Sequence, residues 1–288
     1  MDVKAEVERK LEAAVSRASR DVCPPGLASA VSYAVFPGGA RIRPLLCLGV
    51  AQACGNVGDA ALSGAAAIEM LHCASLVHDD LPCFDDADTR RGKPTVHRAF
   101  GQPLAVLAGD ALIVLAFETV ATACQDDPRR LPAMVGILSR SVGMTSGLIA
   151  GQAWESEAEV AVGTYHAAKT GALFVAAAMM GAASAGADAA AWKDFGSLLG
   201  EAYQVADDIR DATSTEGELG KPVGRDAALG RPTAVNHLGL GGAVAHLDRL
   251  IDRALQAVPA CPGQVPFREK VRAEVRWFVP KDHAQFAA

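Results

Sequence analysis

Two groups of aspartate residues have the type and spacing of metal ligands. Each group ends a long apolar stretch, where bunched carboxylates are costly unless nearby cations balance their charge. Carboxylate oxygens suit hard divalent ions, and proteins usually hold Mg²⁺ with one or two carboxylates together with the phosphates of a substrate. The sequence therefore predicts a metal-bridged phosphate or diphosphate site. The groups consist of Asp79, Asp80, Asp85, Asp86 and Asp88, and of Asp207, Asp208 and Asp211.

The first group must be positioned by a predicted helix over residues 61–78. This segment is apolar on nearly every side, which predicts a central, buried helix. His72 and Ser75 precede Asp79 by seven and four residues, so their side chains share a helix face with it. Pro82 ends or distorts the helix, so the later aspartates of the group are expected on a turn.

The second group is expected on one face of another helix. Asp207 and Asp211 are four residues apart, Asp208 and Asp211 are three apart, and Gln204 precedes Asp207 by three. Residues at these spacings are neighbours on a helix surface. Either group alone could be a solvated acidic face, but two groups at the ends of buried helices favour a shared site.

The composition predicts an all-α chain of about ten or more helices, in a single domain over residues 1–288. Half of the 288 residues are apolar but only 5% are aromatic, and segments with strand-like alternation are missing. The net charge of −6 argues against a general nucleic-acid binder, which usually carries a basic excess.

We expect a cytoplasmic protein without a transmembrane segment. The seven cysteines lack CxxC pairs, which indicates reduced, buried thiols. The charged residues 1–21 read as a helix and do not resemble a signal peptide. Residues 171–187 are uncharged but short and rich in Ala and Gly, and residues 104–124 contain two acids, so both are interpreted as buried helices.

Several basic segments could bind the anion that the metals would bridge. The turn over residues 37–44 carries Arg41 and Arg43 and is either an ordinary exposed turn or an anion pocket. Residues 90–93 hold three cations that either balance the acids or bind diphosphate. Lys169 and Thr170 either start a helix or contact a phosphate and a cation. The long polar loop over residues 214–232 is a candidate lid.

Together these segments resemble the trans-isoprenyl diphosphate synthase (polyprenyl synthase) family. The matches follow the order of the family between about residues 30 and 235, and the two aspartate motifs with RRGKPT form its specific pattern. The chain is most similar to bacterial geranylgeranyl diphosphate synthases of carotenoid and chlorophyll pathways. The matching segments are GGARIRP (38–44), HCASLVHDDLPCFDDADTRRGKPTVH (72–97), GQAWE (151–155), KTGALF (169–174), YQVADDIRD (203–211) and ELGKPVGRD (218–226).

The resemblance implies the isoprenoid synthase fold, with helices around a central apolar cavity, and a homodimer. It also implies head-to-tail condensation of isopentenyl diphosphate with an allylic diphosphate. About three Mg²⁺ ions, or Mn²⁺ as the alternative, would neutralise the leaving diphosphate so that the allylic C–O bond ionises. The isopentenyl double bond then attacks the cation, and the departing diphosphate takes the released proton because the sequence offers no dedicated base.

The resemblance assigns roles to individual residues. The implied metal ligands are Asp79, Asp80, Asp85, Asp207, Asp208 and Asp211. The implied catalytic residues are Arg90 and Lys169, on the allylic diphosphate, and Thr170 and Gln204, near the carbocation. The implied substrate-binding residues are Arg41, Arg43, His72 and Arg91, on isopentenyl diphosphate, and Lys221, on the allylic diphosphate.

Two positions depart from the family pattern. Ala40 replaces a lysine that contacts isopentenyl diphosphate, which would weaken that contact unless Arg41 compensates for it. Arg210 stands where an apolar residue is common between the second-motif aspartates. We expect Arg210 to point away from the metals, as a surface or interface charge.

Product length is predicted from Ala74 and Ser75, which lie about one helical turn below Asp79. Farnesyl-producing bacterial relatives tend to have Tyr at the position of Ala74, where a bulky ring would stop the growing chain. The two small residues predict a C20 product, although C15 and longer products remain open. The sequence is also compatible with a non-catalytic subunit that modulates a partner synthase, and with a terpene cyclase or head-to-head synthase.

Overall fold

Helices make up nearly all of the described chain. The computed structural model describes residues 2–20, 22–36, 39–157, 162–213 and 233–275. The predicted lid loop and Lys221 lie outside these residues. The helices of the described part confirm the prediction of an all-α fold with at least ten helices.

The first part of the chain contains six helices and a small hairpin. They are α1 (Val3–Ala18), α2 (Pro25–Val35), α3 (Ile42–Ala53), α4 (Asp59–Asp79), β1 (Thr89–Arg90), β2 (Lys93–Pro94), α5 (Val96–Phe100) and α6 (Gln102–Ala123). β1 and β2 are antiparallel, with Thr89 opposite Pro94.

The second part continues as helices with short 3₁₀ turns. They are α7 (Leu131–Val142), α8 (Leu148–Ala153), α9 (Val162–His166), a π-helical turn (Ala167–Gly171), α10 (Ala172–Ser184), α11 (Lys193–Thr213), α12 (Ala234–Gln256) and α13 (Gln264–Val275). α12 is kinked at Gly239, which has a φ of 68°.

Helix starts follow from local chemistry. The Asp2 carboxylate caps α1 by accepting hydrogen bonds from the backbone N–H groups of Lys4, at 3.0 Å, and Ala5, at 3.3 Å. α6 begins with a proline in its first turn, where the missing N–H costs nothing. The Thr233 hydroxyl caps α12 by accepting from Asn236 N at 3.1 Å.

The central helix of the bundle is α4, which packs against α3, α6 and α10. Small residues let these helices approach closely. A Cβ added to Gly181 on α10 would lie 2.2 Å from the Cys47 carbonyl oxygen on α3. A Cβ added to Gly200 on α11 would lie 2.9 Å from the Gly171 Cα. These close crossings fix α10 and α11, which carry the candidate site.

Three helices have the length and composition to cross a membrane. In the best 18-residue windows, 78% of Asp59–Asp79, 44% of Gln102–Ala123 and 67% of Gly163–Ser184 is buried in the bundle. The α6 helix is the least covered and exposes Val106, Leu107 and Val114. Burial in the bundle accounts for much of this apolar character, and the lack of a membrane span stays a prediction.

The cysteines are free thiols. Cys47, Cys73 and Cys124 are buried, three others are half-buried and Cys83 is exposed. The prediction of buried thiols is therefore wrong for Cys83, because the turn after α4 directs this side chain to the surface.

Candidate active site

The first aspartate group lies on a tight turn at the end of α4. The Asp85 N–H donates to the Asp79 carbonyl oxygen at 2.9 Å, and the Ala87 N–H donates to the Asp80 carbonyl oxygen at 3.2 Å. These bonds fold the chain back over the helix end, as the position of Pro82 predicts. Asp79 and Asp85 are thereby brought to the same place.

Asp79 carries a charge that its surroundings do not fully balance. Burial raises the pKa of its carboxyl to about 6, Lys169 opposes this rise, and the charges of Asp85 and Glu155 add to it. An added cation stabilises the ionised form of a carboxyl shifted in this direction. Asp79 therefore has the electrostatics of a metal ligand.

Asp80 is fully occupied by Arg90. The Arg90 Nε and a terminal nitrogen donate to the two Asp80 carboxylate oxygens at 2.8 and 2.7 Å, and Asp80 is buried. A bidentate pair of this kind fixes the guanidinium plane. In this arrangement Asp80 orients Arg90, and its direct binding of metal stays a prediction.

The hairpin after the first group places Arg91 on the other side of the site. Arg91 and Gly92 both have positive φ, 53° and 75°, which is the geometry of a two-residue type I′ turn. A Cβ on Gly39 would lie 2.8 Å from a terminal nitrogen of Arg91, so the guanidinium packs directly on that glycine.

Arg43, His72 and Arg91 form a basic pocket. The Arg43 guanidinium lies 4.9 Å from the centroid of the Phe174 ring, and its Nε is buried with no hydrogen-bond partner among the described residues. Burial lowers the pKa of His72 well below its usual value, and the charges of Arg43 and Arg91 lower it further. His72 is therefore neutral at pH 7. The pocket can receive an anion without a metal.

Arg41 is not part of this pocket, which corrects its prediction as a substrate ligand. Its side chain is fully buried and bonds to the Glu8 carboxylate at 2.8 and 3.0 Å and to Glu69 at 2.6 Å. Both partners face the bundle interior or α1, so Arg41 cannot compensate for Ala40. Its role is to hold the turn that leads to Arg43.

A π-helical turn carries Lys169 and Thr170. Such turns often occur at functional sites, because the extra residue redirects the side chains. Gly151 supports the turn, since a Cβ there would lie 2.5 Å from the Lys169 backbone nitrogen. The expectation of a simple helix start is wrong, because the turn lies within a continuous helical run from α9 to α10.

Glu155 joins the site although no role was predicted for it. Its carboxylate accepts hydrogen bonds from Lys169 Nζ at 2.5 Å, from the Tyr165 hydroxyl at 2.5 Å and from Gln152 Nε2 at 3.0 Å. Its charge also acts on Asp79. The signal that could have identified it is the GQAWE segment, which resembles the family but carries no spacing rule of its own.

Thr170 and Gln204 are linked to the second aspartate group. The Thr170 hydroxyl donates to Gln204 Oε1 at 2.8 Å, and Gln204 Nε2 donates to Asp208 Oδ1 at 3.0 Å. The Ala234 N–H donates to the other Asp208 oxygen at 2.8 Å. Burial nevertheless raises the pKa of Asp208. The chain of bonds orients the Thr170 and Gln204 oxygens together.

Arg210 does not point away from the second group, and that prediction is wrong. A terminal nitrogen of its guanidinium donates to Asp207 Oδ1 at 2.7 Å. Residues three apart on a helix are close enough to pair, which outweighs the tendency of arginine to turn to solvent. Asp207 and Asp211 lie on the same helix face, as their spacing predicts.

The wall residues and the cavity give no test of product length. Ala74 is buried, and the Ser75 hydroxyl donates to the His72 carbonyl oxygen at 2.9 Å. A cavity of about 710 Å³ is lined by parts of residues 127–140 and 179–190. It lies beyond the end of α6, whose start contacts α4 at His78, so about 30 Å of helix separates it from the aspartates. The central apolar cavity stays a prediction.

The two aspartate groups fit a metal held partly by substrate. In the described ranges, no set of three or more His, Cys, Asp or Glu side chains is already gathered around one point. Mg²⁺ commonly takes one or two carboxylates and fills its other positions with phosphate oxygens and water. The unbalanced charge of Asp79 fits this mode, in which the diphosphate completes the site.

Comparisons with known proteins match the whole chain. A profile of the polyprenyl synthetase family matches residues 24–265. A geranylgeranyl diphosphate synthase of Cereibacter sphaeroides is 50% identical over 100% of this chain and 99% of its own length. One of Rhodobacter capsulatus is 47% identical over 94% of both chains. The crystal structure of a geranyltransferase from Helicobacter pylori, complexed with magnesium and isoprenyl diphosphate, is similar with a TM-score of 0.76. It is 30% identical, with 96% of this chain and 98% of that chain covered.

Proposed function

Because the chain belongs to the polyprenyl synthetase family, we propose that it condenses isopentenyl diphosphate with farnesyl diphosphate to give geranylgeranyl diphosphate. The observation that carries this proposal is a metal-type acidic site next to a metal-free basic pocket. Asp79 attracts a cation, whereas Arg43 and Arg91 attract an anion. Two diphosphates bound in these two ways fit one prenyl transfer.

The allylic diphosphate would lie between the two aspartate groups. Mg²⁺, about three ions per site with Mn²⁺ as the alternative, would supply positive charge to the leaving diphosphate. Asp79, Asp85 and Asp207 are the residues that would hold it. Arg90, fixed by Asp80, and Lys169, held by Glu155, would add fixed cations. Charge that builds on the leaving group is then met by groups that need no reorganisation.

The carbocation would be stabilised by oxygen dipoles. The Thr170 hydroxyl oxygen and the Gln204 amide are held by their own bond and by Asp208. A preorganised dipole stabilises a developing charge more than a mobile one does. The proton lost after bond formation would pass to the departing diphosphate. Lys221 and the loop over residues 214–232 would exclude water from the cation.

Isopentenyl diphosphate would bind in the basic pocket. Arg43 and Arg91 would contact its phosphates, and neutral His72 would donate a hydrogen bond without adding charge. A metal-free second site keeps the two diphosphates chemically distinct. Ala40 at the rim leaves this pocket with one cation fewer than the family pattern has.

The small side chains of Ala74 and Ser75 support a C20 product, with farnesyl or longer products as the alternatives. The exposed apolar residues of α6 support a homodimer formed through that helix. The reduced cysteines support a cytoplasmic location, and the resemblance supports a carotenoid or chlorophyll pathway.

The test is an incorporation assay with purified protein, Mg²⁺, radiolabelled isopentenyl diphosphate and farnesyl diphosphate. A C20 product that depends on both substrates is expected. A C15 product from geranyl diphosphate alone would favour the farnesyl alternative. No incorporation with any C5, C10 or C15 starter would refute the proposal and favour a modulating subunit.

A further inference from the structure

Arg210 is held at the second aspartate group by more than one contact. Its guanidinium donates to Asp207 Oδ1 at 2.7 Å, and the two side chains are only 29% and 33% exposed. Its Nε is buried and has no hydrogen-bond partner among the described residues. The pair is therefore shielded from solvent more than an ordinary surface pair of a helix.

An aromatic ring fixes the same guanidinium. The Arg210 guanidinium carbon lies 5.7 Å from the centroid of the Tyr203 ring, and the Arg43 guanidinium lies 5.8 Å from the same ring. Cations within about 6 Å of a ring centroid are attracted by its face. Tyr203 in turn packs against Phe174, with ring centroids 5.0 Å apart. Arg210 is thus held by a carboxylate and a ring.

The contact bears on metal binding because Asp207 is one of the residues that would hold Mg²⁺. An oxygen that accepts a hydrogen bond from a guanidinium is a poorer ligand for a second cation, since the two positive charges repel each other. A metal at this oxygen must therefore displace Arg210 or bind beside it. Either event costs free energy that an uncharged residue at position 210 would not require.

We propose that Arg210 is a resident counter-ion of the second aspartate group, which occupies Asp207 before substrate binds and raises the Mg²⁺ concentration that the site needs. This inference rests on the proposed function, because it concerns the metal that accompanies the diphosphate. Its consequence is regulatory. The enzyme responds to Mg²⁺ over a higher concentration range than it would with an apolar residue at this position.

The experiment measures metal binding without turnover. The melting temperature of the full chain is followed during a Mg²⁺ titration at a fixed concentration of inorganic pyrophosphate, for the wild type, Arg210→Leu, Arg210→Gln and Arg210→Lys. An ion pair worth about 1 kcal/mol predicts an approximately fivefold lower Mg²⁺ midpoint for the two neutral variants. Arg210→Lys, which keeps the charge but loses the planar fork, should fall between them and the wild type.

Arg140→Leu is the matched control, because Arg140 is exposed on α7 and has no role in the site. Its Mg²⁺ midpoint should equal that of the wild type. Melting curves without Mg²⁺ show whether each variant is folded, and the Gln variant serves if the Leu variant is not. An unchanged or higher midpoint in both neutral variants would overturn the inference alone. A wild type that gains no stability from Mg²⁺ with pyrophosphate would overturn the metal-dependent function together with it.

Discussion

The metal-free protein should become more stable when Asp79 loses its charge. Burial, with the added charges of Asp85 and Glu155, raises the pKa of the Asp79 carboxyl from 3.8 to about 6. A carboxyl whose pKa is raised in the folded state lowers the free energy of unfolding as the pH rises through that pKa. At about 1.4 kcal/mol per pKa unit, the shift corresponds to about 3 kcal/mol at neutral pH. Asp79→Asn should recover most of it.

The assay is urea denaturation of the wild type and Asp79→Asn with EDTA, at pH values from about 4.5 to 7.5. The difference in the free energy of unfolding should be small at the acidic end and grow toward about 2 to 3 kcal/mol at the neutral end. Asp86→Asn is the local control. Its side chain is 58% exposed on the same turn, so we expect a change of less than about 0.5 kcal/mol.

Mg²⁺ with pyrophosphate should narrow the difference, because a bound cation stabilises the ionised Asp79 and gives nothing comparable to the amide. The variant should also lose prenyl transfer. An Asp79→Asn protein that is less stable than the wild type at the neutral end, or equally different at every pH, would show that the site does not carry an unbalanced charge.

Three further outcomes are expected. Ala74→Tyr should shorten the product from C20 toward C15 in the incorporation assay, and unchanged C20 output would refute the account of the wall. Gly181→Ala should lower the melting temperature by about 5 °C, because its Cβ would meet a backbone carbonyl of α3 at 2.2 Å, whereas Gly163→Ala, which meets no described atom within 4 Å, should not. Thr170→Val should lower kcat about 100-fold with little change in KM, since it removes the hydroxyl bonded to Gln204; equal effects on both would contradict a role in the transition state.

The elements that carry the site were predictable because their signals are local. The apolar run over residues 61–78 and Pro82 predicted α4 to within two residues at its start and one at its end. The spacing of Gln204, Asp207 and Asp211 predicted one helix face, because that spacing is a property of the helix itself.

The partners of charged residues were less predictable, since they depend on packing. Arg41 bonds to Glu8, which lies 33 residues away, so no local pattern indicates that it is buried. Glu155 meets Lys169 only because a π-helical turn rotates the lysine toward it. Arg210 pairs with Asp207 because Tyr203 supports one side-chain position over several others that the helix allows.

The ion pair between Arg41 and Glu8 gives the N-terminal helix a part in substrate recognition. The family profile matches from residue 24, after α1, yet Glu8 on that helix neutralises the buried arginine next to the turn that leads to Arg43. Loss of one partner from a buried pair costs about 3 to 5 kcal/mol. A chain shortened to the segment that the family shares would therefore bind isopentenyl diphosphate poorly, although every residue of the pocket would still be present.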